Sequence, residues 1–95
     1  MSWASVVEKL RRGEPVEMRP RGNSMTPRIK SGQQVRIVPA DLTDVELGDV
    51  VLSKVKGVYR LHIVSARKDG RVQISNAHGH VNGWTKQVFG KVVGV

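Results

Sequence analysis

The residues best suited to chemistry in this chain lie in a short turn, Gly-Asn-Ser-Met-Thr-Pro, at positions 22–27. Gly22 permits unusual backbone angles, and Pro27 fixes φ and removes a hydrogen-bond donor. The two residues therefore predict a sharp bend that holds the hydroxyl of Ser24 in place. A serine hydroxyl is a weak nucleophile at neutral pH, so chemistry at Ser24 would need a base to take its proton. The alternative is that Ser24 only caps the turn.

Five further segments follow this turn in a fixed order. They are residues 31–35 (Ser-Gly-Gln-Gln-Val), 48–51 (Gly-Asp-Val-Val), 61–64 (Leu-His-Ile-Val), 75–76 (Ser-Asn) and 89–92 (Phe-Gly-Lys-Val). In that order and at those spacings, the series resembles the peptidase superfamily that holds signal peptidases and the self-cleaving domains of LexA and UmuD. The resemblance runs from about Arg19 to the end of the sequence. Short members with a similar start and a late Asn-Gly-Trp look like phage and prophage proteins, which implies a phage or bacterial origin.

The resemblance also implies roles for individual residues. Ser24 would attack a peptide carbonyl, and His62 would be its general base, as in the histidine-type signal peptidases. Backbone N–H groups in the turn, at Met25 among them, would hold the oxyanion. An aspartate orients the histidine in those enzymes, and the matching segment here has no carboxylate. Asn76 or Asn82 could hold the imidazole tautomer, but neither would stabilise the imidazolium as a charge does.

Two other classes of function stay open. One is a binding module that has kept the scaffold and lost the chemistry, in which His62 is an ordinary strand residue. The other is a basic binder of nucleic acid.

The first 21 residues contain no Ala-Gly or Cys-Gly pair of the kind that LexA-like domains cleave in themselves, so self-cleavage is disfavoured.

The charge balance bears on partners. Sixteen basic residues against eight acidic ones give a formal net charge of +8. Such a charge can attract nucleic acid or acidic partners. The basic residues look scattered along the sequence, however, and no aromatic residues interleave with them, which favours a solvated surface. We expect a peptide or protein partner, regard nucleic acid as the weaker alternative, and leave the oligomeric state, a homodimer included, open.

Three further residue patterns are interpreted as structural and not as part of a catalytic site. His78 and His80 have a spacing that could serve a metal, but a polar loop is favoured because cysteines are absent. We predict neither a metal site nor a cofactor. Asp49 follows Gly48 and is expected to satisfy backbone groups in a turn. Trp84 is expected to pack its loop back onto the domain.

The elements that must position these residues follow from periodicity. Apolar residues at helical spacing predict one amphipathic helix over residues 2–12, which ends near Gly13. A two-residue period then predicts six short strands, with hairpin turns at Gly57 and at Asp69-Gly70. We expect a mainly β fold, a single domain with the helix in residues 1–13 and the strands in residues 14–95. The resemblance implies a small, coiled, antiparallel, barrel-like type, as in the LexA C-terminal domain or the signal peptidase core.

Cysteine and hydropathy patterns exclude other classes. The chain has no cysteine, so it has neither a disulfide framework nor a thiol nucleophile. It shows no apolar run near the roughly 20 residues of a membrane span and no charged-then-apolar secretory leader. A cytoplasmic location is therefore expected.

Overall fold

The computed structural model describes residues 2–94, in which one N-terminal helix precedes a seven-stranded antiparallel sheet. The elements are α1 (Trp3–Arg11), β1 (Val16–Met18), β2 (Val35–Pro39), a 3₁₀ turn (Leu42–Asp44), β3 (Val50–Val55), β4 (Val58–Lys68), β5 (Arg71–Ser75), β6 (Val81–Thr85) and β7 (Val88–Val93). The strand order is β1-β2-β7-β3-β4-β5-β6. The predicted mainly β class with one short helix is confirmed. Met1 and Val95, the outer ends of the predicted domain ranges, lie outside the described residues.

The helix is held at its start and along one face. Ser2 caps it, because its side chain accepts a hydrogen bond from the Ser5 N–H at 3.2 Å. Val6, Val7 and Leu10 are buried, and the helix packs against β7, β1 and β2. Burying each such side chain stabilises the fold by about 1.5–3 kcal/mol. Within residues 2–94, no helix is long and apolar enough to cross a membrane.

Helix α1 approaches the sheet closely at Gly90 on β7. A Cβ atom added to Gly90 would lie 2.8 Å from Ile37 Cγ2 and from the Val38 carbonyl oxygen, and 2.9 Å from Leu10 Cδ1. Only a residue without a side chain lets the helix and strand come this close. The Phe-Gly-Lys-Val segment is thus explained by packing.

The sheet coils so that its central strand β3 is buried on both faces. Val50 and Leu52 pack in one apolar cluster with the buried face of α1. Val51 and Val55, which point the other way along the strand, pack in a second cluster with residues of β4 and β5. Because both faces are covered, β3 and its neighbour β4 provide a rigid support for side chains at the rim.

Two tight turns and one unpredicted strand complete the β-domain. Lys56 and Asp69 have φ values of 51° and 52°, and each is followed by a glycine with positive φ, as two-residue hairpins require. The prediction of six strands was short by one, since β6 occupies part of the segment that was interpreted as a loop. Trp84 on β6 is 41% exposed, so the expectation that it packs onto the domain was wrong.

Candidate active site

The turn that carries Ser24 is anchored by its neighbours. Met25 and Ile29 are 5% and 3% exposed and belong to the apolar cluster beneath α1. The Ile29 N–H donates to the Met25 carbonyl at 2.8 Å, and the Thr26 N–H and hydroxyl both donate to the Asn23 carbonyl. Ser24 itself is exposed. The sequence therefore builds a fixed bend whose buried side chains hold one hydroxyl at the surface.

His62 lies on β4, opposite Val51 of β3, and is only 6% exposed. Its Nε2 atom is 3.0 Å from Ser24 Oγ, although the two residues are 38 positions apart in the sequence. Its Nδ1 atom is 2.6 Å from Asn82 Oδ1. An amide oxygen can only accept, so Nδ1 carries the proton and Nε2 presents its lone pair to the serine hydroxyl. This is the tautomer that a general base needs.

A β-bulge aims Asn82 at His62. In the pairing of β5 with β6, Ile74 lies opposite Gly83 and Ser75 lies opposite Val81, so Asn82 is the extra residue. An extra residue bends the strand and redirects a side chain, which is why bulges occur beside active sites.

Asn76, the other residue that the sequence offered for this role, does not contact His62. Its Oδ1 accepts the backbone N–H groups of His78 and His80 at 2.9 and 3.0 Å. Its amide oxygen is therefore occupied within its own turn, where it shapes the loop between β5 and β6. The structure places Asn82 alone, of these two residues, against the imidazole.

The pKa of His62 is lowered from its ordinary value of 6.5. Burial is the main cause, because a charged imidazole loses its hydration. The hydrogen bond to Asn82 raises the pKa of His62, while the electrostatic interactions with Arg60 and His80 lower it further. His62 is therefore neutral at pH 7, and Nε2 is free to accept a proton.

Two backbone donors lie next to the Ser24 hydroxyl. Among residues 2–94, neither the Ser24 N–H nor the Met25 N–H donates to a backbone carbonyl. Both groups belong to the bend that presents the Ser24 hydroxyl. They are thus available to an oxyanion, and the role of Met25 as an oxyanion donor stays a prediction.

The loop between β5 and β6 supports the nucleophile turn from the other side. The Ala77 N–H donates to the Ser24 carbonyl at 2.8 Å, and His78 Nε2 lies 2.9 Å from the Asn23 carbonyl oxygen. Since a carbonyl only accepts, Nε2 of His78 carries a proton. These two contacts were not predicted from the sequence, because they join residues more than fifty positions apart. In residues 2–94, no three side chains of metal-binding type come together.

Asp49 is occupied in a turn. Its carboxylate accepts the Glu46 N–H at 2.9 Å, and its backbone carbonyl accepts the Val64 N–H at 2.9 Å. The residue that follows Gly48 in the Gly-Asp-Val-Val segment therefore shapes the entry into β3.

A cleft of about 210 Å³ opens beside Ser24 and His62. Its apolar lining includes Trp3, Met25, Ile29 and Tyr59, and its charged lining consists of Arg21 and Arg60. Within the described residues, Nε of Arg60 is buried and has no hydrogen-bond partner. A buried donor without an acceptor destabilises the fold.

Comparison with protein-family models gives no match, and comparison with curated proteins gives none either. The interpretation of the site thus depends on the geometry above and on the motifs of the chain.

Proposed function

We propose that this protein is a serine peptidase of the signal-peptidase and LexA type, which hydrolyses peptide bonds with Ser24 and His62. One observation carries the proposal. An exposed serine hydroxyl lies 3.0 Å from a buried neutral imidazole whose other nitrogen is fixed by Asn82. Ser-His hydrolases have this same arrangement of a nucleophile, a base and a group that orients the base. A cytoplasmic location and a phage or bacterial origin belong to the same proposal.

The mechanism is acyl transfer in two halves. Ser24 Oγ attacks the peptide carbonyl while His62 Nε2 accepts its proton, and the oxyanion faces the N–H groups of Ser24 and Met25. His62 then gives the proton to the leaving amine, which departs and leaves an acyl-serine. In the second half His62 takes a proton from water, the hydroxide attacks the ester, and the proton returns to Ser24 as the acid is released.

The orienting residue limits the expected rate. Asn82 fixes the tautomer of His62 but carries no charge to stabilise the imidazolium that forms in each half. In a Ser-His-Asp enzyme, asparagine in place of the aspartate costs about 10⁴ in rate through the wrong tautomer. Asn82 holds the correct tautomer, so its cost is smaller and comes from the missing counter-charge. Slow turnover, or a single acylation event, is the activity that this site supports.

The cleft favours a peptide that carries a carboxylate next to the scissile bond. Arg21 and Arg60 both line it, and among residues 2–94 no acidic residue does. A guanidinium group at the cleft would pair with the carboxylate of such a substrate.

The test is covalent labelling of Ser24 by a fluorophosphonate probe, followed by mass spectrometry of the intact protein and its peptides. We expect one adduct, on Ser24, that Ser24→Ala abolishes and His62→Ala slows strongly. Ser65 is the matched control, since it is an exposed serine on the same strand as His62 whose hydroxyl bonds to Ser75 and does not line the cleft. Labelling of Ser24 and Ser65 at equal rates would contradict the proposal.

The alternative is a peptidase-like binding module without turnover. The asparagine in place of a carboxylate favours it, because such a site could bind a peptide and fail to cleave it. Ser24→Ala separates the two functions. If a peptide binds the cleft equally well with and without the Ser24 hydroxyl and is never cleaved, the domain acts by binding.

A further inference from the structure

The fold gathers basic residues around one exposed aromatic ring, on a surface away from the cleft. Two shallow grooves meet at Trp84 and share Arg71 and Lys86. We call this set the Trp84 surface; it consists of Trp84 and five basic residues, Lys54, Lys56, Lys68, Arg71 and Lys86. Its members come from the β3–β4 hairpin, the adjoining ends of β4 and β5, and β6 with its connection to β7. These six residues are therefore scattered along the sequence, and the sheet brings them close together.

The charges of this surface are almost uncompensated. Asp69 is the one acidic residue that lines either groove, so an excess of four positive charges remains. Within residues 2–94, the ion pairs are Arg12–Glu14 and Arg36–Glu17, and neither involves the Trp84 surface. Half of the formal net charge of +8 is thus concentrated here. Such a cluster attracts a polyanion and holds it by release of counterions.

Trp84 gives the cluster a stacking platform. Its side chain is 41% exposed, and it is the one exposed large hydrophobic residue that lines either groove, although Leu47, Val58, Val81 and Val93 are also exposed elsewhere. A lone ring among cations suits stacking on a base more than insertion into a lipid layer, which needs several apolar side chains together.

Lys56 packs against β6 at the residue before Trp84. A Cβ atom at Gly83 would lie 3.2 Å from Lys56 Cε and 3.8 Å from its Nζ. The Lys56 side chain thus lies along the β6 backbone and lines the same groove as Trp84. Lys54 is directed differently, because its Nζ lies 5.1 Å from the centre of the Tyr59 ring. Its charge adds to the field of the surface without facing Trp84.

We propose that the Trp84 surface binds single-stranded nucleic acid. Lys56, Lys68, Arg71 and Lys86 would contact backbone phosphates, and an unpaired base would stack on Trp84. A double strand fits less well, because its bases are already stacked and this surface offers strands and turns rather than a helix for the major groove. The proposal is independent of the peptidase function, since it uses no residue of the Ser24 cleft.

The test is fluorescence anisotropy with labelled 12-nucleotide oligonucleotides of DNA and of RNA, single-stranded and duplex, at several salt concentrations. We expect single strands to bind more tightly than the duplex, with an affinity that falls by about 0.7 log units per log unit of salt for each phosphate contacted. Binding of either DNA or RNA supports the proposal, because both present phosphates and unpaired bases. Trp84→Ala should weaken binding about tenfold while the melting temperature stays unchanged.

A matched pair of charge variants locates the site. Lys68→Gln with Lys86→Gln removes two charges from the Trp84 surface, and Lys9→Gln with Arg11→Gln removes two from the last turn of α1. Only the first pair should weaken binding and flatten the salt dependence. Equal effects of the two pairs, no effect of Trp84→Ala, or binding to anionic phosphatidylserine vesicles but to neither oligonucleotide would overturn the proposal. Ser24→Ala should bind single strands as the parent protein does, so loss of peptidase activity leaves this test intact.

Discussion

The side chain of Asn82 is 2.6 Å from Nδ1 of His62, on the side of the imidazole opposite Ser24. An amide oxygen therefore occupies the position from which a carboxylate acts in Ser-His-Asp hydrolases. It fixes the tautomer by accepting the Nδ1 proton, but it leaves the imidazolium without a counter-charge. In the proposed mechanism, this single contact determines which nitrogen of His62 acts as the base and limits the rate of proton transfer.

Asn82→Asp should accelerate acylation of Ser24. A carboxylate at the bulge would stabilise the imidazolium, and the gain should lie between about tenfold and about 10⁴. The rate of fluorophosphonate labelling measures it. Asn76→Asp is the matched control, because it adds the same charge in the loop that leads into β6, at a residue that does not contact His62. Equal acceleration by the two variants would mean that general electrostatics, and not the orienting contact, sets the rate.

The rate of acylation should follow the neutral form of His62. Because burial lowers its pKa, the midpoint should lie below 6.5, with the rate rising through it and level at higher pH. Unfolding exposes the imidazole and restores its ordinary pKa, so the unfolded state binds more protons. The contribution of neutral His62 to stability is thus full above pH 6.5 and falls as the pH drops towards the folded-state pKa. Labelling rates from pH 4.5 to 9 test the pH dependence of acylation, and thermal melts over the same range test the pH dependence of stability. A labelling rate that rises only above pH 8 would exclude His62 as the base.

Arg60→Met should change both the pH profile and the choice of substrate. The Arg60 charge lowers the pKa of His62, so its removal should move the midpoint of the rate profile upwards. The apolar replacement keeps most of the stem but cannot bind a carboxylate in the cleft. A preference for peptides with Asp or Glu beside the scissile bond should then disappear. Arg36→Met, on β2 and outside the cleft, is the control and should change neither property.

Much of the fold could be predicted from local patterns. The i, i+3, i+4 and i+7 spacing of apolar residues gave α1 to within one residue at each end, because nothing in the tertiary structure opposes it. The hairpin turn at Asp69-Gly70 could also be predicted, since few residue pairs other than Asp-Gly and Asn-Gly tolerate two successive positive φ values. The bend around Ser24 follows from Gly22 and Pro27 in the same way.

Strand β6 could not be predicted from the sequence. For the same reason, the contact that Asn82 makes and the exposure of Trp84 could not be predicted. Its sequence, Val-Asn-Gly-Trp-Thr, contains Asn and Gly, which are depleted in strands, and its pairing with β5 decides the matter. The choice between Asn76 and Asn82 depends on a one-residue bulge within that pairing. The exposure of Trp84 depends on the same register, because a shift of one residue would turn the indole to the other face.

Gly90→Ala should destabilise the protein without altering the pH midpoint of acylation. The added methyl would meet Ile37, Leu10 and the backbone of Val38 at distances below 3 Å, and backbone cannot move aside cheaply. Overpacking of this kind costs about 1–3 kcal/mol. For a domain of this size, each 1 kcal/mol lowers the melting temperature by about 4–8 °C. A melting temperature within a degree of the parent would show that α1 can shift away from β7.

His78 is predicted to position the nucleophile through the backbone. Its Nε2–H donates to the Asn23 carbonyl, next to the Ala77 contact with Ser24, and it does not touch His62. His78→Ala should therefore slow labelling of Ser24 while the midpoint of the pH profile stays where it is. Asn82→Ala should move the midpoint downwards, since the hydrogen bond that raises the pKa of His62 is lost. His78→Gln, which keeps a donor, should recover part of the rate. A displaced midpoint in His78→Ala, or no recovery in His78→Gln, would contradict a positioning role.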